Sequence, residues 1–108
     1  MRINDTAIEI HAWARSKGWY DHGERNIGEL IALAHSELSE ALEDYREGKM
    51  QTYEGVGAKP CGFPSELADV MIRIMDTAVY LGINLEEEIE RKMAYNQKRP
   101  YRHGGKVA

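Results

Sequence analysis

The segment "SELADVMIRIMDTAVYL", residues 65–81, constrains the fold most, because it predicts a helix that is apolar on two sides. At about 100° per residue, one apolar stripe comprises Leu67, Val70, Ile74, Ala78 and Leu81, and a second comprises Ala68, Ile72, Met75 and Val79. The polar side chains share the remaining strip: Glu66, Asp69, Arg73, Asp76 and Tyr80. Such a helix must be covered by neighbours on both of its apolar sides.

Three more helical patterns accompany this segment, so that helices are predicted over about residues 5–17, 26–48, 64–81 and 84–98. Their apolar residues recur at spacings of three and four. Asn26 and Asn84 are the predicted N-caps of the second and fourth helices. Each is followed three residues later by a glutamate, as in a capping box. No segment shows a convincing strand pattern.

These patterns predict an all-α fold, a bundle of four to five helices that forms a single domain over residues 1–108. Residues 48–63, rich in glycine and proline, are predicted to be a connecting loop, and residues 101–108 a basic tail. A chain of 108 residues is too short to cover both apolar sides of the third helix. We therefore expect a second subunit to complete the core by homodimerisation.

Charge and composition narrow the classes of protein to which the chain can belong. A formal net charge of −4 gives no electrostatic reason to expect nucleic-acid binding. The single cysteine, Cys61, excludes an intrachain disulfide and suits a reducing compartment. No secretory pattern is visible at the start, and charged residues interrupt every apolar pattern. We expect a cytoplasmic protein without a membrane span.

Four carboxylates have a spacing that brings them together on helix surfaces. Glu37 and Glu40 lie three apart on the second predicted helix, and Glu66 and Asp69 have the same spacing on the third. Residues at i and i+3 are neighbours, so each pair gathers like charge, and packing the two helices would gather all four. A hard divalent cation would relieve the repulsion. Mg²⁺ is favoured, because zinc prefers His or Cys and a di-iron bundle uses Glu-x-x-His motifs, which the sequence lacks.

A solvated acidic helix face is the alternative, since acidic pairs at this spacing are common on exposed surfaces. The apolar neighbours of Glu66 and Asp69 favour the metal interpretation, because a solvated face is usually polar across its width. The residues alone leave both interpretations open. They also assign no role to Arg73 and Asp76, which lie beside the acidic strip.

A basic face near the end of the chain could bind the polyphosphate that the acids would repel. Lys92, Asn96 and Arg99 share one helix face at spacings of four and three. Alternatively, basic residues there simply complement the helix dipole. Trp19 could stack on a nucleobase, although anchoring the first loop to the core is the more ordinary role for such a side chain.

Taken in order, these motifs resemble the MazG-like, all-α nucleoside triphosphate pyrophosphohydrolase superfamily. The family pattern places Glu-x-x-Glu on one helix and Glu-x-x-Asp on the next, matched here by "ELSE" at 37–40 and "ELAD" at 66–69. The family's late Lys-x-x-x-Asn-x-x-Arg run is matched by Lys92, Asn96 and Arg99. Each motif alone is weak, whereas the ordered set is specific.

Two further segments, "KGWYD" at 17–21 and "RPYRHGGK" at 99–106, resemble small, single-domain members of that superfamily. The resemblance extends from about residue 7 to residue 106. It implies a protein that works as a homodimer, or as a homotetramer built from dimers.

The resemblance also implies a reaction. Such enzymes hydrolyse the α–β phosphoanhydride of nucleoside or deoxynucleoside triphosphates, releasing a monophosphate and pyrophosphate, with Mg²⁺ or, in its place, Mn²⁺. The implied metal ligands and catalytic residues are Glu37, Glu40, Glu66 and Asp69. Alternatively, one acid of the first pair orients the attacking water instead of binding the metal. The implied substrate-binding residues are Lys92, Asn96 and Arg99, at phosphates or sugar, and Trp19, at the base.

Two alternative functions remain. One is the related phosphoribosyl-ATP pyrophosphohydrolase of histidine synthesis, from the same superfamily. The other is a helical interaction or metal-binding module without catalytic activity. The preferred base and sugar are not specified by the sequence.

Overall fold

The computed structural model describes residues 2–101, and four α-helices carry the fold in that part of the chain. They are α1 (Ile3–Ser16), α2 (Ile27–Arg46), α3 (Phe63–Tyr80) and α4 (Leu85–Gln97). The predicted all-α class is confirmed, and each helix lies within a few residues of its predicted bounds. The predicted basic tail lies outside the described residues from position 102 onward. None of the helices in the described range has the length and apolarity to cross a membrane.

The connection between α2 and α3 contains structure that the sequence did not predict. Two strands of two residues each, β1 (Tyr53–Glu54) and β2 (Pro60–Cys61), pair antiparallel around a short 3-10 helix at Val56–Ala58. The N–H of Gly55 donates to the carbonyl of Lys59 at 2.7 Å and closes this small hairpin. The predicted loop at 48–63 is therefore partly ordered by its own hydrogen bonds.

The two predicted N-caps are confirmed. The side chain of Asn26 accepts a hydrogen bond from the N–H of Glu29, and that of Asn84 accepts one from the N–H of Glu87, each at 3.0 Å. Caps of this kind stabilise a helix start by about 1 kcal/mol. The carboxylate of Glu29 accepts a hydrogen bond from Arg25.

α3 is the central helix, with α1 packed along one side and α2 along another. α4 packs mainly against the start of α1. There the N–H of Ile3 donates to the carboxylate of Glu86 at 2.9 Å, and the amide of Asn4 donates to Asn84 at 2.8 Å. The buried apolar residues of the described chain are small apart from one leucine: Ala7, Ala14, Leu30, Ala41 and Ala78.

A continuous apolar face runs along the side of α2 and α3 that no element among residues 2–101 covers. The large side chains exposed on it include Ile31, Leu38, Leu42, Leu67, Met71 and Ile74, which are 39–52% exposed. Two grooves of about 420 and 530 Å³ follow the face, and both are lined by His35 and Leu38. Exposed apolar surface of this extent is typical of an interaction surface.

Gly62 joins the hairpin to α3 in a conformation that other residues rarely adopt. Its φ is +107°, and a Cβ there would lie 2.2 Å from the carbonyl oxygen of Gln51. The carbonyl of Gly62 accepts the N–H of Glu66 at 3.1 Å, so this glycine fixes the first turn of α3. The position of Glu66 therefore depends on a residue without a side chain.

We predict that Gly62→Ala lowers the free energy of unfolding by about 3 kcal/mol or more, because the added methyl group collides with backbone. Gly48→Ala is the matched control, since Gly48 also has a positive φ, +76°, but its Cβ would meet nothing within 4 Å. That control should cost only about 1 kcal/mol of left-handed strain. Urea unfolding compares the two, and equal losses would contradict the prediction.

Candidate metal centre

Three of the four predicted acids converge where α2 faces the start of α3. Glu37 and Glu40 lie one turn apart on α2, and Glu66 lies opposite them in the first turn of α3. One carboxylate oxygen from each residue lies within 4.8 Å of the other two. Glu37 and Glu66 are half-buried, whereas Glu40 is exposed. The predicted gathering of acids by helix packing is thus observed for these three residues.

Asp69, the fourth predicted acid, is half-buried one turn further along α3 and is not a member of this three-oxygen group. Its charge nevertheless acts on Glu66. Burial, a hydrogen bond with Glu40 and the charges of Glu40, Asp69 and Glu37 together raise the pKa of Glu66 to about 7, and burial is the largest of these causes. The acids therefore crowd one another strongly enough to hold a proton near neutral pH.

The surroundings of Oε2 of Glu66 indicate whether a cation suits these residues. This oxygen is buried and has no hydrogen-bond partner among the described residues. An unpaired buried carboxylate oxygen is unfavourable by about 1–3 kcal/mol or more. Oxygen ligands from several carboxylates are the set that Mg²⁺ and Mn²⁺ prefer. The residues present fit such an ion.

Arg73 brings a positive charge to the edge of the acidic group. Its Nη2 lies 3.3 Å from Oε1 of Glu37, and its guanidinium lies over the ring of Trp19, 4.8 Å from the ring centre. Sequence reasoning assigned Arg73 no role, although it follows Asp69 by four residues, which places both on one helix face. That spacing is the signal that could have identified it.

Trp19 lies next to this arrangement in the connection between α1 and α2. It lines a polar cavity of about 600 Å³ together with Arg25, Glu29 and Arg73. The Trp13 ring meets Trp19 edge-on, with centres 5.5 Å apart. The predicted base-contacting residue is therefore half-buried at a cavity that adjoins the acids through Arg73.

The three predicted phosphate-binding residues lie elsewhere within the chain. Lys92 and Asn96 are exposed on α4, and the guanidinium of Arg99, just beyond α4, lies 5.7 Å from the ring centre of Tyr95. Because α4 packs mainly against α1, the fold does not bring these residues to the acidic group within one subunit.

Asp76, the remaining acid of α3, belongs to a separate buried network. It is 2% exposed, its Oδ1 lies 2.8 Å from Nδ1 of His11, and its Oδ2 accepts the hydroxyl of Tyr20 at 2.5 Å. Burial and this contact with Asp76 raise the pKa of the Tyr20 hydroxyl, which keeps it protonated as a donor. Sequence spacing could not reveal the network, because its members lie 56 and 65 residues apart.

Comparison of the chain with protein-family models, with curated proteins and with solved structures gave no match.

The crowding of Glu66 predicts a pH dependence of stability in the metal-free protein. Its pKa in the folded state, about 7, exceeds the ordinary value of 4.5. The stability that protonated Glu66 contributes is therefore fully present below pH 4.5 and is lost as the pH rises through 7. Glu66→Gln mimics the protonated acid, so the variant should become more stable relative to wild type as the pH rises from 5 to 8.

Urea unfolding in the presence of a chelator measures the difference in stability between Glu66→Gln and wild type at each pH. Glu43→Gln is the control, since Glu43 is an exposed acid of α2 that lies 3.9 Å from Arg46. The stability of the Glu43→Gln variant should follow that of the wild type from pH 5 to 8. Parallel curves for Glu66→Gln and wild type would show that the acids do not crowd as described.

Proposed function

We propose that the protein is a Mg²⁺-dependent nucleoside or deoxynucleoside triphosphate pyrophosphohydrolase, which cleaves the α–β phosphoanhydride to give a monophosphate and pyrophosphate. The observation that carries the proposal is the convergence of three carboxylate oxygens on a site where Oε2 of Glu66 lacks a partner. The ordered Glu-x-x-Glu and Glu-x-x-Asp motifs supply the reaction class, through the resemblance to the MazG-like superfamily.

In this proposal Glu37, Glu40 and Glu66 hold the ion, and Asp69 completes the set from the next turn of α3. The bound ion would neutralise phosphate oxygens and lower the pKa of a water molecule. One acid of the α2 pair, Glu37 or Glu40, could instead orient the attacking water and accept its proton. The chain thus supplies the base and the orientation, and no covalent intermediate is needed.

Substrate contacts are proposed for the remaining predicted residues. Trp19 offers an aromatic surface at the edge of a polar cavity, which suits a nucleobase. Lys92, Asn96 and Arg99 would bind phosphates or sugar. Because they lie apart from the acids of their own subunit, we infer that they reach the acids of a neighbouring subunit.

We further propose that a second copy of the chain covers the apolar face of α2 and α3, forming a homodimer that can pair again into a homotetramer. The face belongs to two antiparallel helices, so two copies can pack as a four-helix bundle. Exposed side chains such as Leu38 and Leu67 would then be buried in a core that the two copies share.

Hydrolysis is tested by incubating the protein with Mg²⁺ and a panel of ribo- and deoxyribonucleoside triphosphates and phosphoribosyl-ATP. We expect monophosphate and pyrophosphate. Glu66→Gln and Asp69→Asn should each lower kcat by about 100-fold or more, since even outer contacts of a metal site contribute about 10–100-fold. Glu43→Gln should retain full activity.

The products and the substrate ranking separate the alternatives. Monophosphate with two separate phosphates would contradict single cleavage at the α–β bond. Preference for phosphoribosyl-ATP would favour the histidine-synthesis enzyme. Binding of Mg²⁺ without any product would instead identify a metal-binding module.

Assembly is tested by placing a charge on the apolar face. Leu38→Glu should shift the protein to a monomer at micromolar concentration, because burying the carboxylate at an interface is unfavourable by several kcal/mol. Ile8→Glu is the control, since Ile8 is comparably exposed, 58% against 50%, but lies on α1. Sedimentation velocity distinguishes the species, and a monomeric wild-type protein would contradict the proposed dimer.

A further inference from the structure

We propose that Arg73 exchanges partners during the reaction cycle: it pairs with Glu37 in the metal-free protein and turns to a phosphate of the substrate when the ion and nucleotide bind. The inference rests on the proposed function, because it assumes that Glu37 helps to hold a cation. It assigns a substrate-binding role to a residue that the sequence motifs leave without one.

The contact between Arg73 and Glu37 is suited to exchange. Arg73 donates a single hydrogen bond to Glu37 at 3.3 Å, longer than the roughly 2.7–2.9 Å of strong charge-assisted bonds. Both side chains are partly accessible to solvent, at 24% and 16% exposure. The pair therefore offsets charge at the acidic group without the two-fold bonding that would hold the guanidinium in place.

The guanidinium of Arg73 can also turn toward a neighbouring cavity. Its guanidinium lies over Trp19, and both residues line the polar cavity of about 600 Å³ beside the acids. The stacking contact can support the long side chain while its donors turn from Glu37 to the cavity. A guanidinium at this junction would face the phosphate next to a nucleoside bound at Trp19.

The other arginine that lines the cavity, Arg25, already donates to two acceptors of the protein. Arg25 donates from Nη1 to the carbonyl of Trp19 at 2.9 Å and from Nη2 to Glu29 at 3.3 Å. Among the described residues that line this cavity, Arg25 is thus held by two protein acceptors, whereas Arg73 donates to Glu37 alone. A triphosphate that approaches three crowded carboxylates needs such a cation.

If Arg73 exchanges partners, removing it should change the affinity for metal and the affinity for polyphosphate in opposite directions. A cation held by Glu37 lies near the guanidinium and is repelled by it, so removing Arg73 should strengthen the binding of metal alone. The same change removes a phosphate contact, so it should weaken the binding of polyphosphate. A residue that merely supports the fold would weaken both or neither.

The test uses Arg73→Gln, with Mn²⁺ and inorganic tripolyphosphate as probes. Electron paramagnetic resonance of free Mn²⁺ measures metal affinity, and calorimetry in excess Mg²⁺ measures tripolyphosphate affinity. We expect Mn²⁺ to bind about 3–10-fold tighter and tripolyphosphate about tenfold or more weakly. Arg91→Gln is the matched control, because Arg91 is an exposed arginine paired with Glu87 and Glu88 on α4, and both affinities should be unchanged.

Arg73→Lys provides a second variant, which keeps the charge and loses the planar fork. Mn²⁺ affinity should then stay near the wild-type value, while tripolyphosphate binding weakens several-fold. Unchanged or weaker Mn²⁺ binding by Arg73→Gln, or unchanged tripolyphosphate binding, would overturn the exchange. Circular dichroism verifies that the variants fold.

Neither probe depends on turnover, so the two proposals can fail separately. A wild-type protein that binds Mn²⁺ and tripolyphosphate, shows the opposite-sign changes, and hydrolyses no nucleotide would refute the pyrophosphohydrolase and support the exchange. A wild-type protein that binds no Mn²⁺ would refute both.

Discussion

The buried carboxylate of Asp76 is the interaction on which the arrangement of the site depends. It joins α3 to His11 of α1 and to Tyr20 of the connection that follows α1. One turn later on α3, the hydroxyl of Tyr80 accepts the N–H of Arg25 at 2.8 Å, just before α2 begins. α1, the 17–26 connection and α3 are therefore held together by polar groups, and loss of the partners of Asp76 would leave a buried polar group unpaired, at a cost of about 1–3 kcal/mol.

This network determines where the cavity residues lie. Tyr20 and Arg25 are fixed at the two ends of a short stretch, and Arg25 in turn donates to the carbonyl of Trp19. Trp19 is thereby held against Arg73, which pairs with Glu37. A series of contacts thus connects the buried Asp76 to the candidate metal ligands, although the two groups of acids have no residue in common.

The helices and the acidic motifs could be predicted from the sequence because both are local properties. Helical spacing gives the pairs Glu37–Glu40 and Glu66–Asp69, and an asparagine three residues before a glutamate gives each N-cap. The partners of Asp76 could not be predicted, since tertiary packing alone brings His11 and Tyr20 to it. The hairpin at 53–61 was missed for a different reason: strands of two residues are too short to show alternation.

α2 and α3 each present two adjacent surfaces, and this arrangement links assembly to chemistry. Glu37 is followed by Leu38, and Glu66 by Leu67, so along each helix the acidic side lies about 100° from the apolar face. A subunit packed on that face would restrain the same turns that carry the carboxylates. Crowded acids repel one another, and only rigid helices keep them close enough to share an ion. In the proposed dimer, therefore, the apolar contact would do more than complete the core: it would hold the metal ligands at their separation.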